Sequence, residues 1–209
     1  MSFGRLHVAP LVPEFLAANP GVSLDMVMDD RVVDIVEGGF DLAIRVRTLE
    51  DSALIARRLA PCNNVLCAAP EYLKAHGTPE SPDDLLKHNC LQYAYASSIH
   101  TWSFEGSPAG GAPISLETTG NYQVNNSEAL REALIAGVGI GRLPTFIAGA
   151  DIAAGKLIPL LPGYRLPSQT IYAIFPERRH LPAKVRAFVD FVVKKLGGDV
   201  PYWEREVNW

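Results

Sequence analysis

The 209 residues contain no stretch with the spacing of a common catalytic or nucleotide-binding motif. There is no G-x-S-x-G elbow, no P-loop, and no G-x-G-x-x-G that opens a helix after a strand. Gly137-Val138-Gly139-Ile140-Gly141 is glycine-rich, but it follows its helix, which excludes a dinucleotide site. The five histidines show no metal-ligand spacing and no acidic cluster compensates, so no metal, no cofactor and no catalytic residue is expected. The three cysteines are an odd number, and four residues separate Cys62 from Cys67, unlike a CxxC pair; buried free thiols are the expectation. No apolar run is long enough to span a bilayer, and the first residues show no charged-then-apolar signal pattern. These absences predict a soluble cytoplasmic protein without membrane contact. Positive charge is not in excess either: the net charge of -4 gives no general reason to hold nucleic acid. Arg178-Arg179-His180 abuts Pro182 and reads as the solvated approach to a helix.

What is present is ordinary globular composition, 48% apolar and 20% charged, in a chain long enough for one large domain or two small lobes. Leu6 to Ala18 reads as a helix interrupted by Pro10 and Pro13, and residues 22–28 (VSLDMVM) read as a strand. A helix capped by Asp29 or Asp30 follows, with Val32, Val33, Ile35 and Val36 as its stripe and Gly38-Gly39 as its stop. DLAIRV (41–46) is a buried-type strand, and the strand–helix–strand order predicts parallel neighbours. Residues 53–61 and 65–70 are further strands. In the middle, PEYLKAHG and SPDDLLKHN read as short helices, CLQYAY, TWSF and PISLETT as strands, and 107–113 as a turn. A strand at 139–144, a helix near 145–154 and a strand at 170–176 precede the clearest helix. That last helix starts at Pro182, stops at Gly197, and lines up Leu181, Val185, Phe188, Val189, Val192 and Leu196. The pattern implies an α/β fold whose two ends share one lobe, with a second lobe inserted and a cleft between them.

The polar cluster Asn125-Asn126-Ser127 opens a helix. Asn125 with Glu128 fits a capping box, and a helix start also suits a carboxylate. Arg45, near the end of its strand, can hold an anion bidentately or pair with Asp29 or Asp41. Ser2 and Phe3 precede the first helix and can point hydroxyl and N–H groups into the same crevice. Trp102 and Phe104 alternate on a strand and read as core.

Six segments in order carry a resemblance: SFGRLHVAPLVPEFLAANPGVSLD, VVDIVEGGFDLAIRV, LIARRLAP with VLCAAPEYL, HNCLQY with TWSF, NNSEALREALIAGVGIGRLP, and IYAIFPERRHLPAKVRAFVDFVV. Together they resemble the effector-binding (substrate-binding) domain of LysR-type transcriptional regulators. The resemblance implies two Rossmann-like lobes joined by two crossing strands, like type II periplasmic binding proteins. Lobe I is expected at 1–66 plus 174–209 and lobe II at 67–173. A small-molecule effector, with carboxylates among the candidates, is expected in the interlobe cleft, together with a homodimer. DNA contact would run only through the family's N-terminal winged helix-turn-helix domain, which this sequence does not include. Carried onto this chain, the ligand-binding positions are Ser2, Phe3, Met28, Asp29, Arg45, Cys67, Ala68, Asn125, Asn126, Ser127, Leu143 and Pro144. Arg142 stands where an apolar residue is expected. The family's strand leading into Ser2-Phe3-Gly4 would precede Met1, so a central sheet position is expected to lack its strand. A stand-alone solute-binding protein and an enzyme on the same fold are the alternative readings.

Overall fold

Prolines shape the first helical stretch. In the computed structural model, which describes residues 1–31, 34–47, 54–96, 98–106, 112–176, 181–196, 198, 200–205 and 207, Gly4–Val8 form a widened π-type turn. Ala9–Leu11 tighten into a 3-10 turn, and α1 (Val12–Ala18) follows. Pro10 and Pro13 supply no N–H, so the hydrogen-bond ladder must change spacing around them. The chain divides into two units, Met1–Cys62 with Gln169–Tyr202, and Asn63–Ser168 with Trp203–Trp209. The last segment thus joins the second unit, unlike the expected lobe boundary. Glu204 explains why: its carboxylate accepts from Asn63 Nδ2 at 3.1 Å and from Thr145 Oγ1 at 2.5 Å.

In the first unit, β10 (Gln169–Pro176) lies between β1 (Ala43–Arg47) and β2 (Leu54–Cys62), antiparallel to both. As the inner strand, β10 buries Ile171, Ala173 and Ile174 almost fully. Helix α5 (Ala183–Leu196) begins one residue past Pro182, whose carbonyl accepts from the Val185 and Arg186 N–H groups. Val185, Val189, Val192 and Leu196 are buried, each stabilising by about 1.5–3 kcal/mol relative to exposure. Phe188 and Phe191 meet Phe15 of α1 at ring-centroid distances of 5.0 and 5.5 Å.

Two expectations fail here. Residues 22–28 form no ladder among the described residues; Val22, Leu24 and Met26 are half-buried in alternation with exposed Ser23, Asp25 and Val27. The period-2 pattern is present, but a strand also needs a partner edge, and β1 takes its only described partner from β10, antiparallel. The helix expected at Val32–Val36 is also reduced. Asp34, not Asp29 or Asp30, accepts from Val36 and Glu37 N–H, and the chain turns through Gly39 at φ 67°. Val32 and Val33 lie outside the described residues, as do 107–111, Arg178-Arg179-His180 and Gly197 of the sequence reading.

The second unit holds a five-stranded mixed sheet in the order β7 (Gln123–Val124), β4 (Cys90–Tyr93), β8 (Ile140–Pro144), β3 (Asn64–Ala68), β9 (Ile158–Pro159). β4 runs parallel to β7 and β8, while β3 is antiparallel to β8 and β9. A separate hairpin, β5 (Thr101–Phe104) and β6 (Ile114–Glu117), carries Trp102 and Phe104, which are core as expected. Their cluster includes Leu66, Ala68, Tyr72, Leu85, Cys90 and Ile140. Helices α2 (Pro70–His76), α3 (Ser127–Ile135) and α4 (Thr145–Ala153) complete the unit. The glycine-rich run after α3 is a packing device. Gly137 at φ 74° turns the chain out of the helix, and a Cβ on Gly139 would stand 2.2 Å from the Asn89 carbonyl oxygen.

Candidate functional site

In the second unit, β4, β7 and β8 run parallel and end at one edge, at Tyr93, Val124 and Pro144. The carboxyl edge of parallel strands is where α/β sheets present loops and helix starts to ligands. Asn125 follows β7 directly, and its Nδ2 donates to the Tyr95 hydroxyl at 3.3 Å. Tyr95 is exposed and packs edge-on against Tyr93 at 6.1 Å. Asn126, not Asn125, is the N-cap of α3: its Oδ1 accepts from the N–H groups of Glu128 (3.0 Å) and Ala129 (2.9 Å). The capping box drawn from Asn125 to Glu128 is therefore off by one residue. Asn126 holds the extended backbone that a cap requires (φ -131°, ψ 120°), and the chain turns helical at Ser127. This cap already occupies two of the N–H groups that an anion at the helix start would need, leaving the Ser127 hydroxyl and the amide groups of the two asparagines as the polar surface.

Other expected positions of this unit lie deeper. Cys67 and Ala68 belong to β3, an inner strand covered on both faces, and neither retains surface. Burial pushes the Cys67 thiol up to about 12, and the Asp151 carboxylate adds to the rise. Cys90 is likewise pushed up to about 12 by burial, and Cys62, Cys67 and Cys90 are all buried thiols outside any disulfide. Such thiols are inert. Leu143 is fully buried, so it cannot offer the apolar contact expected of it, whereas Pro144 is half-exposed. The reason is the pleat: alternate residues of β8 turn to opposite faces, and Leu143 shares the face of Gly141, which α3 covers, while Arg142 and Pro144 turn to the other.

In the first unit, Ser2 is 5% exposed and its Oγ is buried without a hydrogen-bond partner. A buried hydroxyl left unpaired costs about 1–3 kcal/mol, so this atom is a ready donor and acceptor for a ligand. Phe3 is buried and stacks on His7 at 5.2 Å, and His7 in turn meets the Tyr202 hydroxyl at 2.5 Å. Phe3 is thus part of the packing beneath the helix start. Met28 is 36% exposed. Asp29 is clamped by Arg31, whose Nη2 and Nε approach Oδ2 at 2.6 and 2.9 Å, and that guanidinium lowers the carboxyl to about 2. Asp41 pairs with Lys184 at 3.0 Å. Arg45 is half-buried on β1 and registers with Tyr172 of β10, which runs antiparallel, so the parallel neighbour expected for its strand is not found among the described residues.

Among the described residues no cluster of three His, Cys, Asp or Glu side chains could hold a metal ion, and no helix is long and apolar enough to cross a membrane. An α/β chain with polar strand ends and buried thiols is compatible with many ligand-binding proteins. The family profile described as LysR substrate binding domain matches residues 1–197. The chain belongs to that family. It is 37% identical over 187 residues to an uncharacterized HTH-type transcriptional regulator of Haemophilus influenzae, covering 88% of this chain and 62% of the relative. It is 34% identical over 197 residues to the HTH-type transcriptional regulator CrgA of Neisseria meningitidis, covering 93% of this chain and 64% of CrgA. The solved CrgA regulatory domain, from a LysR-type transcriptional regulator, superposes with a TM-score of 0.82 at 32% identity, covering 94% of this chain and 95% of that one. The chain thus spans about three fifths of the length of the curated relatives it matches, and corresponds to their LysR regulatory part, with the α/β, periplasmic-binding-protein-like fold of those domains. Sequence reasoning marked Arg142 as a charged residue at an apolar position without placing it among the ligand-binding residues; it stands at an inner position of β8.

Proposed function

We propose that this chain is the sensor of a LysR-type regulator: it holds a small polar effector and, in the whole protein, biases the DNA-binding domains joined to it. Within the first unit the candidate contacts are Ser2 and the cationic Arg45; within the second they are Asn125, Ser127 and Pro144. The buried, unpartnered Ser2 hydroxyl carries this reading, because a folded chain keeps such an atom at a cost unless a partner arrives. The regulator acts in the cytoplasm as a homodimer, without membrane contact and without catalysis. Its switch is differential affinity: an effector that binds one arrangement of the protein more tightly shifts the population toward it.

A thermal-shift screen of the chain against small carboxylates, aromatic acids and their neutral amides tests the proposal, since a ligand that binds only the native state must raise the melting temperature. Ser2→Ala is expected to melt at or slightly above the parent temperature without ligand, because it removes an unsatisfied polar atom. It should also weaken effector binding about 5- to 10-fold, the loss of one hydrogen bond of about 1 kcal/mol or slightly more. Undiminished binding of the effector by Ser2→Ala removes the helix start from the site.

A further inference from the structure

Arg142 takes part in none of the polar contacts above. Among the described residues, Arg31, Arg57 and Arg131 have aspartate partners, and Arg58, Arg165 and Arg186 stand in water. Arg142 alone combines partial burial with the lack of any hydrogen-bond or ion-pair partner for its side chain. Its surroundings follow from the ladder. Arg142 registers with Leu66 on β3, and two residues along, Ile140 registers with Ala68; Leu66, Ala68 and Ile140 all belong to the core cluster that contains Trp102 and Phe104. The adjacent Gly141 faces Leu134 of α3, so Arg142 leaves the sheet on the opposite face, toward the β5–β6 hairpin.

On its other side β4 offers Gln92, one step beyond the Leu91–Gly141 pair. That amide is committed: Trp102 Nε1 donates to its Oε1 at 3.1 Å, and its Nε2 donates to Thr118 Oγ1 at 2.9 Å. Burial lowers the guanidinium pKa from its ordinary value with no opposing carboxylate, yet arginine stays charged at neutral pH. An apolar residue of similar length would fill this place without that penalty. Arg142 stands two residues before the end of β8, beside the strand edge that carries Asn125 and Ser127.

We propose that Arg142 is the anion-recognition residue of the effector site, taking the carboxylate of a small monoanionic organic acid in a bidentate grip. This rests on the effector-binding reading and names its ligand class. A single guanidinium, with no second cation among its ladder neighbours, suits one negative charge, and a planar carboxylate matches its fork.

The test uses the whole chain with benzoate, acetate, benzamide and inorganic phosphate as probes. Phenylglyoxal labelling followed by peptide mass spectrometry should modify Arg142 faster than the paired Arg131, and benzoate should slow Arg142 labelling while benzamide does not. Benzoate should raise the melting temperature in a concentration-dependent way. Arg142→Gln should weaken that response at least tenfold and Arg142→Lys restore part of it. Without ligand, Arg142→Met should melt about 2–4 °C above the parent chain, where a residue that props up the fold would lower it. If Arg142→Gln fails to fold, protection of the parent chain still decides. Unchanged labelling of Arg142 under benzoate and acetate, or full benzoate affinity in Arg142→Gln, overturns the assignment. Stronger protection by phosphate overturns the ligand class. Stabilisation by benzamide equal to that by benzoate, unaffected by Arg142→Gln, leaves the sensor reading standing and removes Arg142 from it.

Discussion

Helix α3, whose start carries the polar candidate contacts, is tied to α4 by one ion pair, and cutting it on the cationic side should be costly. Arg131 grips Asp151 bidentately, with Nη2 on Oδ1 at 2.9 Å and Nε on Oδ2. The Asp151 side chain is 5% exposed and that of Arg131 is 28% exposed. The hydrogen bonds from Arg131 to Asp151, and then the carboxylate's charge, raise the arginine pKa. At roughly 4 Å and an effective dielectric of about 20, the attraction is about 4 kcal/mol. Arg131→Met leaves the carboxylate, among the described residues, with Lys156 as its remaining cation, at 3.9 Å on a largely exposed side chain. The expected loss is about 3 kcal/mol, the lower end for breaking a buried pair, or about 6–12 °C in melting temperature. Asp151→Leu should cost less, because the more exposed Arg131 keeps Glu132 at 2.6 Å. The double variant should recover most of the loss. Urea denaturation followed by tryptophan fluorescence is the assay, since the described tryptophans, Trp102 and Trp203, belong to the second unit. A loss below about 1 kcal/mol for Arg131→Met, or equal losses for the two single variants, would refute the claim that a buried charge depends on this pair.

Asn126→Ala should destabilise the second unit by about 1 kcal/mol through loss of the cap, whereas Asn125→Ala should stay within about 0.5 kcal/mol; chemical denaturation distinguishes them. Gly139→Ala should lower the melting temperature more than either, because the Asn89 carbonyl oxygen occupies the Cβ position at 2.2 Å and neither backbone can yield cheaply. Asp84 is lowered to about 2, first by its bond to Lys87 and then by Ser81. Its folded value lies below its ordinary 3.8, so its contribution is complete above about pH 4 and lost as pH falls toward 2. Asp84→Asn should flatten the acid limb of the stability profile in that window while leaving the profile above pH 5 parallel to the parent.

Much of the architecture was legible wherever one element's pattern is enough to define it. The Val185, Val189, Val192, Leu196 stripe forces a helix with one buried face, and Trp102 and Phe104 alternate as a half-buried strand does. The ordered segments from SFGRLH to IYAIFP carried the LysR resemblance that the family profile over residues 1–197 bears out. The acidic balance and the lack of catalytic spacing needed no structure either. Partnership did need it. Residues 22–28 alternate as a strand should, but a ladder depends on a neighbouring edge, which local pattern does not encode. Whether Asn125 or Asn126 caps α3 turned on where the backbone passes from extended to helical. Cys67, Ala68 and Leu143 could be listed as contacts from their order in the chain, yet inner-strand positions in the sheet enclose them. Arg142 is the converse case. Its letter announces charge, but only the register that sets it between Leu66 and Gln92, with no carboxylate opposite, turns that charge into a candidate receptor for an anion.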